Sequence, residues 1–313
     1  MQTSSADSPL GRKNPFSLYW ALSRTPHGVL DMAAPAFSVL WYLSAFPPVR
    51  IICLGLITAF AGYTAVYALN DLIDFRTDRA KIAYTDTGGD YLDAMMVRHP
   101  LAQGLLSVRQ GIMWAGGWSL VALVGAWLLH PMCLVVFLSG ALLEIVYCLL
   151  WRVSPWRSVI SGFVKNSGPV AALFAVDPHP SPLLAALLFA GFFFWEIGGQ
   201  NIPADWTDVD VDRRFKAQTI PVRLGSRRAA VLMIVSLMLA VFSCALLFFV
   251  RFSAGPLAGS ISILVVGSLM LLVPGYRLYS TRRHQDAVRL FNRASYFPLV
   301  LLIVTLSGIL ITS

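Results

Sequence analysis

Residues 70–78 read Asn70-Asp71-Leu72-Ile73-Asp74-Phe75-Arg76-Thr77-Asp78 and follow without a break on an apolar run that ends at Leu69. Asn70, Asp74 and Asp78 are four apart, so a helix continuing past the apolar run stacks their oxygen-bearing side chains along one face. Like charges at that spacing repel, and carboxylates at the edge of an apolar phase are costly, so the pattern calls for cations. Mg²⁺ meets that need, because it takes oxygen ligands, keeps several waters and usually bridges one or two carboxylates to phosphate oxygens.

A second stretch has the same chemistry in the other half of the chain: Gln200-Asn201-Ile202-Pro203-Ala204-Asp205-Trp206-Thr207-Asp208-Val209-Asp210-Val211-Asp212. Asp208 and Asp212 repeat the four-residue spacing, and Asn201 and Asp205 are expected to support them, although Pro203 interrupts a regular helix. Asp210 alternates with the pair and is expected to point away. One acidic cluster reads equally well as a solvated loop. Two at the same side of a helical membrane bundle imply a polar cavity in which metal ions hold a polyanion. Cations accompany both: Arg76, Arg79, Lys81 and Arg98 the first, Arg213, Arg214, Lys216 and Arg223 the second. Of these, Lys81, Arg98 and Lys216 are the expected substrate contacts, and the rest satisfy the charge bias of cytoplasmic loops.

Working outward, 57% of the 313 residues are hydrophobic, 13% are charged and the mean hydropathy is +0.68, which places the chain in a bilayer. Apolar windows predict nine spans, near 28–46, 50–69, 109–129, 132–151, 157–176, 182–200, 229–250, 255–275 and 293–311. The expected fold is therefore all-α: nine transmembrane helices around a central cavity, forming a single domain over 1–313 and surrounded by membrane lipids. Lys and Arg concentrate in the N-terminal segment 1–27, in 70–108, in 201–228 and in the shorter connections of the same set, whereas the opposite set holds Arg50 and Arg251. The positive-inside rule puts the N-terminus and the two long Asp-rich loops, 70–108 and 201–228, in the cytoplasm and the C-terminus outside. The excess charge of +8 thus sets topology and does not point to nucleic acid. Residues 1–27 lack the apolar stretch and cleavage site of a signal peptide and are expected to stay on the mature chain. The four cysteines lie in apolar runs without metal-site or redox spacing. Residues 276–293 are expected to lie along the interface as an amphipathic helix.

At these residues the chain resembles the UbiA superfamily of intramembrane prenyltransferases. Asn70, Asp71, Asp74 and Asp78 meet that family's NDxxDxxxD signature, Asp208 and Asp212 its DxxxD signature, and Arg213 to Gly225 is similar to its usual continuation. The resemblance covers nearly the whole chain and implies Mg²⁺ held by Asn70, Asp74, Asp78, Asp208 and Asp212, with Asp71 also catalytic. It implies an isoprenyl diphosphate donor, a lipophilic or aromatic acceptor such as a quinone precursor, and diphosphate contacts from Asn70, Lys81, Arg98 and Lys216. The family's Tyr with a basic residue four or five positions on is met loosely by Tyr147 and Arg152; Trp151 stands where Lys is common, so the resemblance implies Tyr147 and Arg152 as further diphosphate contacts. Two departures concern the acceptor side. Tyr63-Thr64-Ala65-Val66-Tyr67 replaces the Arg-containing stretch of relatives that prenylate 4-hydroxybenzoate, which disfavours that acceptor. The short continuation after the first signature is replaced by the longer Ala80 to Val97, with Asp86, Gly88, Gly89, Asp90 and Asp93, expected to act as a lid.

Inside the spans, Glu144, Lys165, Asn166 and Glu196 are expensive unless they face a cavity or one another. Lys165 and Asn166 are the acceptor candidates. Two other classes are compatible with membrane carboxylates: an intramembrane phosphotransferase, which needs a DGxxAR-type opening absent here, and a cation carrier, which needs acids mid-span in several helices rather than at helix ends.

Overall fold

An apolar run in a bilayer finds no water for its peptide groups and closes its hydrogen bonds internally as a helix. In the computed structural model, which describes residues 15–84, 96–251 and 256–312, every regular element among the described residues is helical. Most of the expected lid, with Asp86, Gly88, Gly89, Asp90 and Asp93, and most of the N-terminal segment 1–27 lie outside the described residues.

The chain begins with α1 (Pro15–Leu22), α2 (Thr25–Asp31) and α3 (Ala33–Leu43) and continues into α4 (Val49–Lys81), α5 (Val108–Leu129), α6 (Pro131–Leu149) and α7 (Arg157–Val176). Next come α8 (Pro182–Trp195), the short α9 (Ile202–Thr207) and α10 (Val209–Arg214), and α11 (Ile220–Arg251). α12 (Pro256–Gly267), α13 (Val273–Thr281), α14 (His284–Ser295) and α15 (Phe297–Thr312) complete it. Eight helices, several built from two of these elements, are long and apolar enough to cross a membrane.

The ninth expected span, 28–46, is not one helix. α2 and α3 meet at Met32, and neither alone reaches the ~20 residues a crossing takes. Together they run from one end of the bundle to the other. At one end Arg24 lies 6.0 Å from the Tyr67 ring, in the aspartate-bearing half of α4. At the other, the Tyr42 hydroxyl donates to Asp177 at 2.5 Å and the Tyr42 carbonyl accepts from Arg251 at 2.8 and 3.0 Å.

α4 has 33 residues, about 50 Å of helix, so its last turns carry the first acidic signature past the apolar zone as the four-residue spacing predicts. The second acidic arm is reached differently. α8 passes through a wide π-helical turn, Glu196–Asn201, in which the Ile202 N–H bonds back to the Ile197 carbonyl, and α9 starts with Pro203 in its first turn. Pro cannot donate, so a widened turn ahead of it lets the chain continue without an orphaned ladder. The same device recurs at Ser268–Leu272, where the Val273 N–H bonds to the Ser268 carbonyl just before Pro274. α11 is broken at Gly225, whose φ of +75° only glycine adopts easily.

α14 covers part of the expected amphipathic stretch 276–293. The turn at Arg282, φ 55°, separates it from α13, and its apolar face, with Leu290 and Ala294 fully buried, packs on the second acidic arm. Trp195 Nε1 donates to the Ala294 carbonyl at 2.9 Å. Tight packing concentrates in this half, where Phe37, Trp41, Phe192 and Trp195 interlock with Met233 and Leu237 of α11. The other half, from α4 to α7, is looser and surrounds a cavity. Apolar side chains such as Met113, Leu120 and Trp127 of α5 are exposed, as lipid-facing residues are.

Candidate active site

The last turns of α4 present their acids to three different surroundings. Asn70 turns inward, where Nδ2 donates to Glu144 Oε1 at 2.7 Å and lies 3.3 Å from Cys148 Sγ. Asp71, one residue on, is buried against His99: His99 Nδ1 is 2.8 Å from Asp71 Oδ1 and 3.0 Å from Asp78 Oδ2. A nitrogen between two carboxylate oxygens has to carry its proton. Burial works against the charged imidazole, but the hydrogen bonds to Asp71 and Asp78 outweigh it and hold the His99 pKa above its ordinary value. His99 sits on a left-handed backbone, φ 52°, a strained conformation that surrounding contacts have to maintain. Asp74 is half-buried, next to Asp78 and within the fields of Arg157, Lys81 and Arg24.

The second arm faces the first. Lys81 Nζ is 3.8 Å from Asp212 Oδ1, and Arg98 Nη2 is 3.5 Å from Asp208 Oδ2, so cations following the first signature pair with carboxylates of the second. Lys81 also lies 3.8 Å over the Trp151 ring. Burial first, then the Asp205 carboxylate, push the Asp212 pKa up to about 7. Asp205 itself is buried against Arg157 at 3.0 Å, and Arg157 donates to the Tyr147 hydroxyl at 2.9 Å. That hydroxyl also accepts from Asn201 Nδ2 at 3.1 Å, while Ser158 donates to Asn201 Oδ1 at 2.5 Å. Two contacts fasten the loops to each other: Tyr84 meets the Phe215 ring at 5.9 Å, and Arg214 lies 4.3 Å over Tyr84. Asp210 points away, its side chain 92% exposed beside Arg213.

The structure thus gathers Asp71, Asp74, Asp78, Lys81, Arg98, Tyr147, Asn201, Asp205, Asp208 and Asp212 at one end of the bundle. Lys216 is there too, exposed on a left-handed turn with φ 58°. Arg152 is exposed and lies over Trp151, 5.3 Å from its ring; the basic group that meets Tyr147 is Arg157. Lys165 reaches the interior, where it bonds Asp31 Oδ2 at 2.6 Å and the Tyr67 hydroxyl at 2.9 Å. Asn166 does not line the cavity: about 100° further round the same helix, it returns its amide to the Gly162 carbonyl at 2.8 Å.

Sequence reasoning missed His99, Arg157, Arg24 and Asp31. Asp31 was readable, being an acid inside an expected span. Arg157 and Arg24 look like ordinary membrane-edge cations, and nothing in the local pattern marks His99.

Beneath the acidic rims is a cavity of about 460 Å³. Its mouth is bounded by Asn70, Tyr147 and Asn201, its waist by Tyr63, Tyr67, Lys165 and Glu196, and its far part by apolar side chains such as Ile51, Leu56 and Phe137. The site suits a hard cation. Its donors are carboxylate oxygens, and buried Asp71 Oδ2 and Asp205 Oδ2 have no hydrogen-bond partner among the described residues. Asp71 and Asp78 bring carboxylate oxygens within 4.8 Å of each other around His99. Divalent ions would relieve the crowding of negative charge here.

Comparison with known proteins bears on the family and the fold. The model of the UbiA prenyltransferase family matches residues 32–297. The probable homogentisate phytyltransferase 2, chloroplastic, of Oryza sativa subsp. japonica is 26% identical over 200 residues, 57% of this chain and 46% of that protein. The chain therefore spans about half the length of this curated relative. Among solved structures, an apo UbiA homologue from Aeropyrum pernix K1 superposes with TM-score 0.71 at 18% identity, covering 91% of this chain and 98% of that one. A UbiA homologue from Archaeoglobus fulgidus bound to DMAPP and Mg²⁺ gives 0.68 at 16% identity, covering 94% and 99%. A digeranylgeranylglyceryl phosphate synthase gives 0.63 at 15% identity, covering 95% and 98%. At these identities the structures establish the shared fold.

Proposed function

The chain belongs to the UbiA prenyltransferase family, and on that premise we propose that it transfers an isoprenyl group from an isoprenyl diphosphate to an aromatic quinone precursor within the membrane, dependent on Mg²⁺. The observation that carries this reading is the pairing of Lys81 with Asp212 and of Arg98 with Asp208, which brings both acidic arms to one mouth above an apolar cavity. The Archaeoglobus homologue with bound DMAPP and Mg²⁺ supports the donor and the metal; the name of the rice relative supports an aromatic acceptor.

In this proposal Asn70, Asp74 and Asp78 hold Mg²⁺ on one side and Asp208 and Asp212 on the other. Asp71 acts through His99, and Asn201 and Asp205 fix Tyr147 and Arg157. Bound Mg²⁺ supplies Lewis-acid stabilisation of the charge that builds on the leaving diphosphate. Lys81 and Arg98 neutralise Asp212 and Asp208; they are the cations that would contact diphosphate oxygens, and Asp208 and Asp212 the carboxylates that would hold Mg²⁺ on this side. Lys216 and Arg157 are placed to complete the cationic side, and Arg152 is left to the membrane surface. The isoprenoid tail lies among the apolar residues of the lower cavity. Tyr63 and Tyr67 line the cavity, and their rings would be the aromatic groups nearest a positive charge developing on the allylic carbon. Water is kept from that carbon by the cavity's depth.

Counting α2 with α3 as one broken crossing gives nine crossings, with residues 1–27 and both acidic arms cytoplasmic and the C-terminus outside. Purified protein incubated with Mg²⁺ and labelled isoprenyl diphosphate is expected to release diphosphate. Asp74→Asn and Asp208→Asn should each reduce that release by at least about 100-fold, equivalent to roughly 3 kcal/mol of lost stabilisation. No release with any of a panel of aromatic acceptors would instead favour an ion carrier.

A further inference from the structure

One acid inside the spans has no part in the proposed handling of diphosphate. Glu144 is buried on α6, and it is tied to the first signature: Asn70 Nδ2 donates to Glu144 Oε1 at 2.7 Å. The same Nδ2 lies 3.3 Å from Cys148 Sγ, and the Cys148 thiol turns to Glu144 Oε1 at 3.8 Å. Asn70, Glu144 and Cys148 thus close a triangle in which the amide nitrogen faces two acceptors. Burying a carboxyl is costly unless it is hydrogen-bonded, and a helix that had only to pack here would carry an apolar residue.

An Asn side chain has two donors on its nitrogen and an acceptor on its oxygen. Among the described residues, the side-chain bonds of Asn70 run through Nδ2, which leaves Oδ1 on the other side of the amide. The second asparagine at the mouth is built otherwise. Asn201 uses both ends, Nδ2 donating to the Tyr147 hydroxyl at 3.1 Å and Oδ1 accepting from Ser158 at 2.5 Å. Glu144, Tyr147 and Cys148 are three and four apart on α6 and so share a face. One turn of α6 therefore sets both amides, occupying Asn201 at both ends and Asn70 at its nitrogen.

From this arrangement we propose that Glu144, assisted by Cys148, is a positioning residue: it fixes the Asn70 amide with Nδ2 toward α6 and so presents Oδ1 as an oxygen ligand for the Mg²⁺ of the first acidic arm. This rests on the reading of Asn70 as a metal-holding residue and adds what orients it. Without Glu144 the amide is free to turn its N–H groups toward the site, and those are donors with nothing to offer a hard cation. The role needs an acceptor at position 144 and not a charge. Glutamine, whose Oε1 accepts the same bond, fills it, and leucine does not.

The test reads metal binding rather than turnover. The full chain in detergent, with a non-cleavable geranyl thiolodiphosphate, is titrated with Mn²⁺ in place of Mg²⁺, and free Mn²⁺ is followed by its EPR signal. Glu144→Leu is expected to weaken Mn²⁺ binding about tenfold, Cys148→Val about threefold, and Glu144→Gln by less than about twofold. Asn70→Ala should lose about as much as Glu144→Leu, and the double variant about as much as Asn70→Ala alone, because Glu144 acts through Asn70. Unchanged affinity in Glu144→Leu, or in Cys148→Val should the leucine variant not fold, would overturn the assignment. So would additive losses in the double variant, or a loss in Glu144→Gln as large as in Glu144→Leu, which would make the charge of Glu144 the active feature. Equal binding by wild type and Asn70→Ala would remove Asn70 from the metal-holding set and this inference with it, leaving the prenyl-transfer reading on the carboxylates. No Mn²⁺ binding by the wild type would strike at that reading itself.

Discussion

His99 holds one Nδ1 proton between Asp71 and Asp78, and this has a consequence for pH. Its folded pKa lies above the unfolded value of about 6.5, so the stabilisation it gives is fully present below that unfolded value and is lost as pH rises through the folded one. In metal-free protein the thermal midpoint of the wild type is expected to fall more between pH 6 and pH 9 than that of His99→Gln. The difference should correspond to about 2 kcal/mol, the scale of a charge-assisted hydrogen bond, and differential scanning fluorimetry at matched ionic strength would measure it. Equal slopes for the two proteins would show that His99 is neutral where it sits. At this scale the sequence was readable where spacing constrains geometry. Asn70, Asp74 and Asp78 share a helix and could be placed without coordinates, and so could the outward Asp210. His99 and Arg157 could not, because what defines them is a partner far along the chain: 28 residues for His99 with Asp71 and 48 for Arg157 with Asp205.

Among the elements, the wide turn at Glu196–Asn201 explains how an arm interrupted by Pro203 still delivers Asp205, Asp208 and Asp212 to the mouth. It is held against α11 through Gly198, where an added Cβ would come within 2.9 Å of the Met233 carbonyl and 3.0 Å of the Leu237 nitrogen. Backbone atoms cannot move aside as a side chain can, so Gly198→Ala is expected to cost about 1–3 kcal/mol. Gly117, on α5, has nothing within 4 Å of such a Cβ, and Gly117→Ala should gain up to about 1 kcal/mol from helix propensity. Thermal unfolding of the two variants in detergent would measure the contrast. Prolines at 203 and 274 mark both wide turns in the sequence, yet a proline equally permits a kink or a stop. Which one occurs depends on how the following helix packs. α14 was legible as an amphipathic helix, and the structure shows what its apolar face covers: α9 and the turn before it.

For the whole molecule, the opposed ends of the bundle give a direct topological expectation. Single cysteines introduced at exposed His179, between α7 and α8, and at exposed Asp210 in a variant without the four native thiols should label from opposite sides of sealed vesicles. An impermeant maleimide is expected to reach position 179 from outside and position 210 from the cytoplasmic face; labelling of both from one side would contradict nine crossings. Residence in a membrane and the placing of the acidic segments at helix ends were legible in the sequence alone, because hydropathy, charge bias and four-residue spacing are local properties with direct energetic meaning. The first crossing was legible as a length of apolar chain, and its break at Met32 falls within a turn of Pro35, whose missing N–H leaves the Asp31 carbonyl without its helical partner. Tertiary structure alone decided that Lys81 meets Asp212 and Arg98 meets Asp208, that Lys165 meets Asp31 and Tyr67, and that one Glu196 oxygen has no hydrogen-bond partner among the described residues. Those are relations between groups that only folding brings together, and in a low-dielectric interior the energy of a charge depends on which partner it finds.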